Sequence, residues 1–318
     1  MICALIGAVL CTVVAACPLA ADQPEKLRIV VLPSEIAAAA YYADELGYFK
    51  DAGIDPEITS LPNGAAGTAA VISGSEDVGF SNTLSLISAH DKGLPISILA
   101  ALDVFNAQHP LTGFLAVLKS SPIHTAKDFS GKTIALSGLG NTQYYALRNW
   151  IDVNGGDSKL VKFIEFPMET SADGIIAGKF DAADLDATNM FAARSRASLR
   201  EVASTYESIA PRFMAGAWFA TPDWIQKHPE LARKFVGILQ RVAAWANSHP
   251  DESAALYAKH TAFSLSDIKL SPRPIFVPAT SPNLLQPVID VAVKYGAIKT
   301  AFPASDVLST ASTIGVPK

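Results

Sequence analysis

The sequence predicts an α/β fold in two lobes, each a mixed, mainly parallel sheet flanked by helices. Three observations carry this expectation. From Leu27 onward, short β-branched runs alternate with helix-spaced segments, which is the signature of βα units. The chain has 318 residues, enough for two domains of roughly 150 residues each. No Pro/Gly/Ser-rich tether separates the halves, so the chain is expected to cross between lobes within strands. LTGFLAVL (111–118) and MAGAWFA (214–220) are the crossing segments this suggests. Residues 22–118 and 216–318 then form one discontinuous lobe, and 119–215 an inserted second lobe.

The elements follow in order. LRIVVL (27–32) reads as a strand closed by Pro33, and Tyr42, Leu46 and Phe49 share one face of a helix that Gly53 stops. IDPEITSL (54–61) is a second strand. A loop at Pro62–Ala65 and a small-residue helix through Ile72 come next, then a strand at VGF (78–80). A helix at Leu84–His90 leads to ISILAAL (96–102). KDFSGKTIAL restarts the βα rhythm, with strands expected at KFIEF (162–166) and Ala182–Leu185. After MAGAWFA the chain turns helical. Leu231, Phe235, Ile238, Val242 and Trp245 make one long apolar stripe, Pro229 suits the first turn, and Pro250 closes the helix.

Composition removes several function classes. Half the residues are hydrophobic and only 17% charged, which excludes disorder. The net charge is −5 and no basic stretch is available to neutralise a row of phosphates, so nucleic acid is not an expected partner. Much of the apolar surplus lies in residues 1–21, which carry no side-chain charge and end in small residues. This reads as a signal peptide, with Leu19-Ala20-Ala21 or Pro18-Leu19-Ala20 as cleavage sites, although no Lys or Arg precedes its apolar core. Val14-Ala15-Ala16-Cys17 also fits a lipobox, which would place a lipid on Cys17. No later segment offers some 18 consecutive apolar residues. All three cysteines lie in the leader, so the mature chain has no pair for a disulfide or thiolate metal site.

Catalytic and cofactor motifs are missing. Ser130-Gly131-Lys132-Thr133 resembles the end of a P-loop, but Ala126 replaces its first glycine and a strand follows where a helix is required. There is no G-x-S-x-G elbow, and the six histidines never fall at metal-ligand spacing. Asp181, Asp184 and Asp186 lack the glycine turn and terminal glutamate of a calcium loop. No cofactor, metal or catalytic residue is expected.

A binding site is easier to place. In open α/β sheets, ligands settle beyond the C-terminal ends of strands, at helix N-termini. The strand-to-helix loops that qualify carry Ser34 and Glu35; Asn63, Gly64 and Ala65; Ser81, Asn82 and Thr83; Gly138, Gly140, Asn141 and Thr142; and Asp184 and Asp186. Ser, Thr and Asn at such positions cap helices as well as touch ligands. Phe105 and Trp218, beside the expected crossings, are the candidate aromatic walls, with core packing as the competing role. Helix N-termini favour an anion, whereas Glu35, Asp184 and Asp186 suit a ligand with N–H donors. The sequence leaves both open.

Four blocks resemble one known family. GYFKDAGIDPEI (47–58), KDFSGKTIAL (127–136), AGKFDAADLD (177–186) and TPDWIQKHPELARKFVGILQRVAAWANSHPDESAAL (221–256) are similar, in order, to blocks of periplasmic solute-binding proteins of the nitrate/sulfonate/taurine type. The resemblance spans nearly the whole mature chain. It implies a periplasmic-binding-protein fold of class II type, closing by hinge motion on a small solute such as a sulfonate, nitrate, an aromatic acid or a pyrimidine-like molecule. It further implies delivery to the membrane permease and ATPase of an ABC importer, and a periplasmic location. The same superfamily includes thiamine-pyrimidine synthases, whose C-C-C-F-C motif has no match here, so an exported enzyme is the alternative.

Overall fold

A computed structural model describes residues 23–309 apart from 196–198 and 279. The leader expected over 1–21, with Cys17, lies outside the described residues. The chain opens with β1 (Glu25–Val31), the short helices α1 (Ala39–Glu45) and α2 (Tyr48–Asp51), and β2 (Ile54–Ser60). It continues through α3 (Gly64–Ile72), β3 (Val78–Asn82), α4 (Thr83–Asp91) and β4 (Ser97–Asn106). The single helix expected over Tyr42–Phe49 is two, because Gly47 adopts φ 73° and ends the first.

A second set follows: β5 (Phe114–Leu118), β6 (Thr133–Leu136), α5 (Thr142–Val153), β7 (Lys162–Glu165), α6 (Met168–Ile176), β8 (Ala182–Leu185), α7 (Ala187–Ser195) and β9 (Leu199–Ser204). The chain then returns through β10 (Arg212–Ala220) to α8 (Pro222–Lys227), α9 (Pro229–Ser248), α10 (Pro250–Tyr257), α11 (Leu265–Leu270) and α12 (Pro282–Lys294).

These strands form two sheets, ordered β2-β1-β3-β10-β4 and β7-β6-β8-β5-β9. In the first, β1 is parallel to β2 and β3, while β10 runs antiparallel between β3 and β4. In the second, β6 is parallel to β7 and β8, while β5 runs antiparallel between β8 and β9. Each lobe is therefore a mainly parallel sheet with one reversed strand.

The lobe boundaries differ from those the sequence suggests. Both ladder partners of β5 lie in the second sheet, so the first crossing is residues 107–113, ahead of LTGFLAVL's strand rather than after Leu118. β10 pairs from Arg212 with Asn106, so the return crossing is 205–211 and ends before MAGAWFA. The two crossings lie side by side. Thr205 donates its N–H (2.7 Å) and its hydroxyl (3.2 Å) to the Gly113 carbonyl, and the Ala107 N–H donates to Pro211 O at 2.9 Å.

Each sheet buries both faces. In β1, Leu27, Ile29 and Val31 pack with α1 and the α9 stripe of Leu231, Phe235, Ile238 and Val242, while Val30 faces the core beneath α4 and α12. The second sheet is likewise covered by α6 and α7 on one side and α5 on the other. Period-2 alternation in the strands and 3.6-residue periodicity in α9 place these residues.

Gly113 adopts φ 84°, and a Cβ there would lie 2.7 Å from Tyr206 Cδ1 and 3.1 Å from Thr205 Oγ1. Gly113→Ala is expected to lower the unfolding free energy by about 1–3 kcal/mol, from backbone strain plus crowding. A urea titration checks this, and an unchanged midpoint would show that the crossing relaxes freely.

Candidate functional site

Where the C-terminal ends of the parallel strands of both sheets face one another, they line an open-mouthed cavity of about 100 Å³. For comparison, a space of roughly 150 Å³ accepts benzene, so the cavity suits a few heavy atoms up to one ring. The first lobe contributes Ser34 beyond β1, Asn63 and Gly64 beyond β2, Asn82 ending β3, Asp103 in β4 and Gly216 in β10. The second contributes Ser137, Asn141, Thr142 and Gln143 beyond β6, Met168 beyond β7 and Asp186 beyond β8. Thr112 and Tyr206 reach it from the crossings.

One local device recurs around the cavity. A polar residue at or beyond the C-terminal end of a strand caps the next helix, its side-chain oxygen accepting a first-turn N–H. Asn63 Oδ1 accepts from Ala66 N at 3.0 Å, Asn82 Oδ1 from Ser85 N at 2.9 Å, and Asn141 Oδ1 from Tyr144 N at 2.9 Å. Asp186 Oδ1 accepts from Asn189 N at 2.8 Å and Asn189 Nδ2 at 2.9 Å. Two glycines make the approach possible. A Cβ on Gly64 would sit 2.4 Å from Asn82 Nδ2, and one on Gly216 would sit 2.4 Å from Phe80 Cζ and 2.8 Å from Asp103 Oδ2.

Four acids lie in or near the cavity, and they differ in what meets them. Glu35 is buried, held by both terminal nitrogens of Arg273 and by the Tyr42 hydroxyl at 3.0 Å. Burial pushes its carboxyl up to about 7, with the Arg273 guanidinium acting against the rise. Asp184 is fully buried and accepts from Thr205 Oγ1 (2.8 Å) and Gln143 Nε2 (3.2 Å); burial raises it to about 7 as well. Asp186 is raised by burial, opposed by its two Asn189 donors. Asp103 is half-buried against the cavity, desolvation alone raises it to about 7, and its carboxylate meets no donor among the described residues.

A family assignment can be set beside this geometry. The NMT1/THI5-like family model matches residues 36–253, more than half of the chain and parts of both lobes. The chain belongs to the NMT1/THI5-like family. Among its curated relatives, two 4-amino-5-hydroxymethyl-2-methylpyrimidine phosphate synthases of Saccharomyces cerevisiae, THI12 and THI5, are each 23% identical over 230 residues. That match takes in 69% of this chain and 65% of each relative, so the chain spans less than two thirds of their length.

Solved structures share the fold. The alkanesulfonate-binding protein SsuA of Xanthomonas axonopodis pv. citri, bound to MOPS, superposes with a TM-score of 0.76 at 15% identity, over 91% of this chain and 99% of that one. The periplasmic nitrate-binding protein NrtA of Synechocystis PCC 6803 gives 0.77 at 13% identity, over 93% and 90%. The periplasmic aliphatic sulphonate-binding protein SsuA of Escherichia coli gives 0.73 at 16% identity, over 93% and 95%. At these identities the likeness is one of architecture: this member of the NMT1/THI5-like family has the periplasmic-binding-protein fold.

The residues singled out in the sequence separate into two groups. Ser34, Asn63, Gly64, Asn82, Asn141, Thr142 and Asp186 line the cavity. The rest do not. Glu35 is consumed by Arg273 and Tyr42, and Asp184 by Thr205 and Gln143. Ser81 and Thr83 are buried, their hydroxyls donating to Gly64 O and Met214 O. Ala65 and Gly140 face a separate outer depression, and Gly138 lies beside Asn141 and Glu165 behind the cavity wall. Phe105 packs on Tyr206 and Phe213, and Trp218 on Phe80 and Phe235, so both aromatics are core. Ser137, at the start of the same loop as Asn141, lines the cavity too, while Asp103, Gln143 and Tyr206 line it without having been singled out. For Asp103 a signal existed: it is the first charged residue after the apolar run ISILAAL.

Two outcomes are expected from the acids. Arg273→Met leaves Glu35 buried without its counter-charge and is expected to cost about 3–5 kcal/mol of stability near pH 8, with the Glu35→Gln/Arg273→Met double variant recovering much of it. Chemical denaturation of both variants checks this. Asp103 and Asp184 hold their protons in the folded state at a pH where the unfolded chain has lost them. The unfolding free energy therefore falls as pH rises from about 4 to about 7. Asp103→Asn should flatten that slope, and an equal slope in wild type and variant would contradict the burial of this carboxylate.

Proposed function

We propose that the protein is the solute-binding component of an ABC-type importer, capturing a small molecule between its lobes and presenting it to a membrane permease coupled to an ATPase. The observation that carries this reading is the cavity itself: both lobes and both crossings contribute walls, so closing and opening the lobes makes and unmakes the site. The paired crossings at 107–113 and 205–211 supply the hinge, and Gly113, at positive φ, sits in one of them. The three architectural neighbours are named as sulfonate- and nitrate-binding proteins, two of them periplasmic, which supports an extracytoplasmic location and the charge-free leader's role in export.

A second reading, an exported enzyme related to the pyrimidine phosphate synthases, has the names of the yeast relatives in its favour. Among the described residues the cavity lining offers no Cys, His or Lys as nucleophile or base, and Asp103 and Tyr206 are the unassigned titratable groups there. Capture accounts for more of the architecture than turnover does.

Small-angle scattering and calorimetry test the capture reading together. With a panel of small amines, amino-heterocycles, sulfonates, nitrate and aromatic acids, at least one solute should both release heat and reduce the radius of gyration. Binding without compaction, or no binding at all, would count against lobe closure as the functional motion.

A further inference from the structure

The cavity has an unusual charge balance. Among the described residues its charged lining side chains are Asp103 and Asp186, with no Lys, Arg or His. Neither acid is fully satisfied from within the protein. Asp103 has no hydrogen-bond or ion-pair partner among the described residues. Asp186 takes both Asn189 donors on the same oxygen, Oδ1, leaving Oδ2 open. One of these carboxylates stands on β4 of the first lobe and the other beyond β8 of the second, so the two acceptors face one space from opposite sides.

The nearby cations are already committed. Arg273 is spent on Glu35, outside the cavity lining, and it donates to Ser253 Oγ as well. Lys259 and His260 border the neighbouring mouth but both pair with Glu45, at 2.6 and 3.0 Å, and Glu169 stands in the same mouth. Three helix N-termini also face the cavity and would ordinarily draw an anion. At each, one first-turn N–H is taken by its own asparagine oxygen, from Asn63, Asn82 and Asn141. An oxyanion entering here would meet two acids and no cation among the described residues, and both acids would have to stay protonated beside it, whereas a solute bearing N–H donors would hold both ionised and satisfy them as the lobes close.

We propose that the cleft selects a small solute carrying an ammonium, amidinium or amino-heterocyclic group, gripped between Asp103 of the first lobe and Asp186 of the second, and rejects sulfonates and nitrate. Gly216 is part of the same device, because any side chain there would strike Asp103 Oδ2 and the Phe80 ring. The proposal rests on the solute-capture reading and specifies its chemistry.

The test uses the described chain with its leader removed, in calorimetry and scattering with two probe sets. One set is benzamidine, guanidine, ethylenediamine and 4-aminopyrimidine; the other is nitrate, ethanesulfonate, taurine and benzoate. Compaction and heat are expected with a member of the first set and none with the oxyanions. Asp103→Asn should weaken that binding at least tenfold. Asp186→Asn should do the same while keeping its helix cap through the amide oxygen, and a melting curve on each variant separates lost binding from lost folding. A gain of oxyanion binding in Asp103→Asn would support the proposal further. Compaction with nitrate or a sulfonate in wild type, with the first set silent, would overturn the charge class and leave solute capture standing. First-set binding unchanged in Asp103→Asn would overturn the assigned grip. Silence with both sets would overturn solute capture, and this proposal with it.

Discussion

Strand β10 pairs on one side with β3 and on the other with β4, and most of the molecule depends on that double ladder. Until residues 212–220 return from the second lobe, the first sheet has a gap between two buried, apolar strands. Filling it joins chain segments more than a hundred residues apart, so the first lobe is a non-local structure while the second is built from one continuous stretch. Non-local pairing is slow to form because loop closure must precede the contacts that reward it. The arrangement also sets the site. β10 brings Gly216 alongside Asp103 and Phe80, at a place where its register with β4 shifts on either side. The irregular ladder and the absent side chain together leave the Asp103 carboxylate room to face the cavity.

The electrostatics follow one pattern with different endings. Burial lifts Glu35, Asp103 and Asp184 to the same range, and the protein answers two of them internally, with Arg273 for Glu35 and with Thr205 and Gln143 for Asp184. Asp184 is thereby linked to the hinge, since Thr205 also bonds Gly113 across the crossings. Asp103 receives no such answer. An acid left unmatched at the centre of a cleft is a feature that stability alone does not favour, and polar groups of this kind are found where a ligand completes them.

Much of this was legible in the sequence, and the rest was hidden for definable reasons. The alternation of strands and helices, the α9 stripe and the polar residues that follow β2, β3, β6 and β8 follow from periodicity and capping chemistry, which are local. Asn63, Asn82, Asn141 and Asp186 were therefore placed at the cavity by reasoning about helix starts alone. Phe105 and Trp218 take the competing core role, because the side a strand residue faces depends on register, and β10 carries irregularities that break its alternation. β9, with Arg200, Glu201 and Ser204 in six residues, is an edge strand without an apolar run to announce it. The crossings were displaced by several residues because LTGFLAVL has the composition of a strand wherever it belongs. The turn-forming stretch Asn106–Gly113 just ahead of it was the better marker.

The two crossings are bonded to each other as well as to their lobes, through Gly113, Thr205, Ala107 and Pro211. A single connection would leave one lobe free to swivel and tilt against the other. A bonded pair behaves as a strip that bends readily about one line and resists twist, so the relative motion of the lobes reduces to one angular coordinate. Every solute that enters is then met by the same two faces, approaching along the same path. Discrimination among solutes becomes a question of how far the angle closes before contact, and the surface presented outward records that angle.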